Sequence, residues 1–177
     1  AAYKYINATT VIPAYFTMAL FPLFSRYALE ARERLERTYH LALKVLLLIA
    51  FPLAMVTSVL SRELIILVGG KEFLSAGSAL ALAILIWFLP LSYVNGVTQY
   101  VLISVNRQRA ITVSFLIASA FNIATNLAWI PRYGLVAASV ITILTEVVLF
   151  IPFWVVVHRE VGRLPLLQPV SYTHLTL

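Results

Sequence analysis

The run FLSAGSALALAILIWFLPLSYVNGVTQYVLISVN, Phe73–Asn106, carries no Asp, Glu, Lys or Arg, and the number of helices it makes decides the fold. As one helix it would measure about 50 Å, against roughly 30 Å of bilayer hydrocarbon. It would then have to tilt, kink at Pro90 or overhang the interface. As two helices turning at PLSYVNG, each half would hold roughly 15 residues, too few to span comfortably. Charge arbitrates. With one helix, Arg26, Arg32, Arg34, Arg37, Lys44, Arg107, Arg109, Arg159 and Arg163 share one side, and the other has only Lys4, Arg62, Lys71 and Arg132. Splitting the run moves Arg107, Arg109, Arg159 and Arg163 across and erases the bias. Loops rich in Lys and Arg mark the cytoplasmic side of membrane helices. One helix is therefore expected, with the C-terminal end cytoplasmic.

The membrane premise comes from composition. The chain is 62% hydrophobic and 11% charged, with a mean hydropathy of +0.93, whereas a soluble domain carries about 25% charged residues. The net charge of +6 lies in short loops between apolar runs, which fits membrane topology and gives no reason to expect a nucleic-acid partner. The absence of Cys removes disulfides and thiolate metal sites. With no Asp, scattered Glu and no His pair at ligand spacing, neither a metal, a cofactor nor a catalytic constellation is expected.

Apolar runs of membrane length place five spans at about 5–25, 43–61, 74–105, 110–130 and 135–157, an all-α integral membrane bundle over 1–169. Between the first two lies a charged helix over 26–42. Glu30–Arg34 and Glu33–Arg37 stand there at i,i+4, opposite a narrow stripe of Ala28, Ala31, Leu35, Tyr39 and Ala42. It is expected to extend the spans on the cytoplasmic side and lie on the interface. SRELIILVGGKEF, Ser61–Phe73, is expected to form a short interfacial helix ending at its glycine pair. Lys4 is followed at once by a span, without an initiator Met or signal peptide, so the chain is expected to begin inside a longer protein. Residues 170–177, VSYTHLTL, resemble a translated sequencing adapter and are expected to be a non-native tail.

One carboxylate breaks the pattern. Glu146 sits in the middle of the last span, where an acidic residue costs about 2.5–3.5 kcal/mol and should face protein or a watery cavity. Asn122 and Asn126 share a face of the preceding span at i,i+4. A tight turn at PRYG makes those two spans antiparallel, with Asn122 level with Thr142 to Glu146. Asn95 and Gln99 follow Pro90 and are candidates to line a cavity, and Arg26 closes the first span. Pro13, Pro22, Pro52, Pro90 and Pro152 interrupt spans or their ends, a habit of transporters with bendable helices.

The order of several landmarks is similar to one family. LFPLFSRY, FPLA, RELIILVGGKEFLSAGSALALAIL, SVNRQR, NIATN, IPRYGLVAAS and ITILTE resemble the C-terminal half of polysaccharide flippases. These are the O-antigen type of the multidrug/oligosaccharidyl-lipid/polysaccharide transporter superfamily. Ala137 stands where that family usually has glycine. The resemblance implies a MATE-like transporter of 12–14 helices in two lobes, this chain being five helices of the second and the N-terminal lobe lying outside it. It implies a prokaryotic cytoplasmic membrane, a lipid-linked oligosaccharide substrate carried by alternating access, and a coupling cation, H+ or Na+. In the same architecture stand a cation-coupled multidrug antiporter and a peptidoglycan-precursor flippase; a membrane-embedded glycan polymerase or ligase is the reading from another class.

Overall fold

A computed structural model describes residues 2–70 and 77–161, and all regular structure among them is helical. The helices are α1 (Ala2–Glu30), α2 (Arg32–Val59), α3 (Ser61–Gly69), α4 (Ser78–Leu85), α5 (Phe88–Ser104) and α6 (Gln108–Glu160). Lys71, Arg163 and the tail 170–177 lie outside the described residues.

The two ends of α4–α5 touch opposite ends of the bundle. The Ser58 hydroxyl donates to the Ala83 carbonyl at 3.2 Å, and the Ser139 hydroxyl donates to the Ala81 carbonyl at 3.0 Å. At the other end, Arg107 and Arg32 both reach Glu160, at 2.6 and 3.8 Å. Between them Tyr39 on α2 bonds Thr98 on α5 at 2.7 Å. Partners on α2 therefore run down in number as those on α4–α5 run up, and partners on α6 rise in step. Among the described residues, α4 and α5 together run from one end of the bundle to the other.

The run bends by 40° between α4 and α5. Of the three ways of fitting the run into a bilayer, tilt, a kink at Pro90 or overhang, a kink is present, and it lies one turn before Pro90, at Ile86–Trp87. A proline at position i has no N–H for the carbonyl at i−4, and its ring pushes that carbonyl away. For Pro90 that carbonyl is Ile86, which accepts instead from the Leu89 N–H at 3.0 Å. Pro90 itself sits in the first turn of α5, where a missing N–H costs nothing.

α6 covers 53 residues, but Gly134 inside it has φ 61° and ψ −140°. Asn122 donates to Thr145 at 2.9 Å, although a straight helix would hold them roughly 34 Å apart. α6 is thus two antiparallel arms folded at Gly134, as the PRYG turn led one to expect. Only glycine takes this backbone without strain. α5 ends in a Schellman motif: the Arg107 N–H bonds the Leu102 carbonyl at 2.8 Å and the Asn106 N–H bonds that of Ile103 at 3.0 Å. Asn106 supplies the left-handed residue, with φ 59°. α3 is the expected short helix, stopped at Gly70 with φ 86°.

The charged segment 26–42 extends the helices on either side of it. The chain breaks at Ala31, which is extended, and the two halves continue α1 and α2. Its apolar stripe faces protein where an interfacial position was expected: Leu35, Tyr39 and Ala42 are buried in the core, and Tyr39 bonds Thr98 on α5. On α2 that core face continues through Ala50 and Ala54, two fully buried small residues at i,i+4. In lipid, helices gain little from apolar burial as such, and small residues let backbones come into close van der Waals contact. α2 and α6 are long and apolar enough to cross a membrane, and the bent pair α4–α5 adds a third such element if taken as one span.

Candidate functional site

One group of interior polar residues lies where α5 packs on the second arm of α6. Asn95, 3% exposed, projects from α5. Its Nδ2 donates to the Glu146 Oε2 at 2.7 Å and to the Glu146 backbone carbonyl at 3.0 Å. Ser92, one turn earlier, is the other polar neighbour of the carboxyl group. No Lys, Arg or His pairs with Glu146 among the described residues. The Asn95 Oδ1 is buried without a hydrogen-bond partner.

A second chain of bonds runs along the α6 hairpin. Asn126 Nδ2 donates to Asn122 Oδ1 at 2.9 Å, Asn122 Nδ2 to Thr145 Oγ1 at 2.9 Å, and the Thr145 hydroxyl to the Ile141 carbonyl at 2.8 Å. Side-chain bonds between membrane helices contribute about 0.6–1.7 kcal/mol each, enough to set the register of two arms.

Two clefts flank the Asn95–Glu146 pair. One, about 310 Å³, lies between the arms of α6 and is lined by Ser119, Asn122, Thr145 and Glu146 with Phe115 and Leu149. The other, about 190 Å³, lies between α1 and α5, with Thr17, Ser92 and Tyr100 on its walls. Ser92 lines the second cleft and neighbours Glu146, so the carboxyl group stands between the two spaces. The Thr17 hydroxyl there is buried without a partner. A carboxyl group set between two small clefts and held by a neutral amide can take up or release a proton without breaking an ion pair.

Of the six residues singled out from sequence, the structure bonds four in two pairs, Asn95 with Glu146 and Asn126 with Asn122, and Asn122 shares a cleft with Glu146. Gln99 is half-buried and joins none of these bonds. Arg26 is exposed at the end of α1, where its Nε pairs with Glu30 at 2.9 Å, remote in sequence and contact from the cluster. Thr145 and Ser92 were missed. Thr145 could have been found by counting, since it and Asn122 are equally spaced about the Tyr133–Gly134 fold. Tyr93 was missed too. Its hydroxyl donates to the Thr9 carbonyl at 2.7 Å, four residues before Pro13 and so the carbonyl that Pro13 cannot bond. No group of three or more His, Cys, Asp or Glu that could hold a metal occurs among the described residues.

The model of the MatE family matches residues 1–128. The match takes in α1 to α5 and most of the first arm of α6, and it stops short of Glu146. No curated protein and no solved structure matches the chain.

Proposed function

The chain belongs to the MatE family, an all-helical MATE-like membrane transporter, and from that premise we propose that it forms part of a lipid-linked oligosaccharide flippase. In this reading α1, α2, the bent α4–α5 pair and the two arms of α6 are five crossings of the second lobe. The Arg32–Glu160–Arg107 end faces the cytoplasm. The two lobes rock about the substrate, a polyprenyl-diphosphate-linked glycan in a prokaryotic cytoplasmic membrane, and the bent helices take up the motion. The substrate class rests on the similarity of the ordered motifs from LFPLFSRY to ITILTE.

One observation carries the transport role: a buried amide on α5 holds the lone mid-span carboxyl group of α6 across a helix interface flanked by clefts. Groups of this kind in membrane spans serve ion or substrate paths. Protonation of Glu146 gives its carboxyl an O–H donor and leaves a neutral carbonyl oxygen as the acceptor. The 2.7 Å bond to Asn95 then loses its charge assistance, and the α5–α6 contact is free to shift. This same feature supports a second reading, a proton- or Na+-coupled multidrug antiporter.

The test is made in the complete protein. Deletion of its gene should trap undecorated lipid-linked units on the cytoplasmic face, and a Glu146→Gln copy should restore export poorly. Normal surface glycan after deletion, together with dye extrusion lost on Glu146→Gln, would replace the flippase by the antiporter.

A further inference from the structure

We propose that the crook of the α6 hairpin binds one anionic phospholipid of the surrounding bilayer, its phosphate on Arg132. A cavity of about 400 Å³ opens between the two arms beside Gly134, within the range of pockets that hold small molecules. Its walls are Ala128, Val136, Ala137 and Val140, all short and apolar, the kind of surface a hydrocarbon chain fills. At the same cavity stand Arg132, Trp129 and Tyr133.

Three features select the occupant. Arg132 is exposed and forms no ion pair with a carboxylate among the described residues, and guanidinium matches phosphate oxygens two at a time. Trp129 and Tyr133, edge to face at 6.4 Å, are 47% and 65% exposed; such rings settle at the headgroup level of a bilayer. The fold at Gly134 lies at the end of the bundle opposite the Arg32–Glu160–Arg107 cluster, so the guanidinium stands at one boundary of the hydrocarbon layer. The neighbours Leu127, Ile130 and Leu135 are exposed and apolar. The cavity therefore opens sideways to lipid, and shares no residue with the cleft at Glu146. A membrane lipid reaches it laterally. The inference does not depend on the flippase reading.

The test uses the protein solubilised from its membrane and stripped of lipid by detergent exchange, with native mass spectrometry as the readout. Phosphatidylglycerol should be retained by the wild type and phosphatidylcholine much less. Arg132→Gln should weaken phosphatidylglycerol retention roughly tenfold, the effect of losing one charged hydrogen bond, and Arg132→Lys less. Ala128→Phe, which fills the cavity at an exposed position and leaves the charge in place, should weaken it as well. Equal retention by Arg132→Gln and wild type would overturn the proposal, as would retention unaffected by Ala128→Phe. Displacement of phosphatidylglycerol by an equimolar polyprenyl phosphate would assign the site to substrate and overturn it too.

Discussion

Replacing Asn95 with leucine removes both bonds that α5 makes to Glu146 while nearly preserving the buried volume. Each interhelical polar contact in a membrane contributes about 0.6–1.7 kcal/mol, so the variant should lose about 1–3 kcal/mol. Glu146→Leu removes only the side-chain acceptor, because the backbone carbonyl still accepts from Asn95. Its loss should be smaller, and it also removes an acid that costs about 2.5–3.5 kcal/mol to hold in mid-span. The pair isolates the 2.7 Å bond in a double-mutant cycle, with an expected coupling of about 1 kcal/mol. Glu146→Gln keeps an amide oxygen for Asn95 and should stay close to wild type in stability. The measurement is unfolding in mixed micelles of rising SDS content, followed by the fluorescence of Trp87, Trp129 and Trp154. If the losses of Asn95→Leu and Glu146→Leu simply add, the two side chains are not coupled and the reasoning is refuted.

The remaining predictions concern the frame around this pair. Gly134→Ala should lower stability by about 1–3 kcal/mol in the same assay; no atom lies within 4 Å of the added methyl, so the whole effect is backbone strain at φ 61°. Loss of the Tyr93 hydroxyl in Tyr93→Phe should cost about 1 kcal/mol, and Pro13→Ala, which supplies Thr9 with a helical N–H, should make that loss smaller. Single cysteines at Arg34 and Arg109 should react with an impermeant thiol reagent from the same face of the membrane, and one at Arg132 from the opposite face. Labelling of 34 and 109 from different faces would mean that α4–α5 does not cross the bundle once.

The sequence alone carried a good deal of this molecule. Charged residues are costly in hydrocarbon, so their positions set the expected ends of the crossings, and the asymmetry of Lys and Arg favoured one crossing over two for Phe73–Asn106. The proline and glycine of PRYG announced the hairpin, and equal counting from its turn set Asn122 level with the residues around Glu146. What it could not carry was any relation that depends on how one helix is rotated and slid against another. Asn95 and Gln99 lie one turn apart on α5, with the same chemistry on the same side, yet packing brings Asn95 alone to Glu146. The stripe Leu35–Tyr39–Ala42 has the pattern of a helix lying on lipid and equally that of one facing a core, because both environments reward the same apolar face. Only the presence of α5, with Thr98 opposite Tyr39, decided between them. Register between helices is a sum of many weak contacts from distant parts of the chain, and it exists only once the bundle has formed.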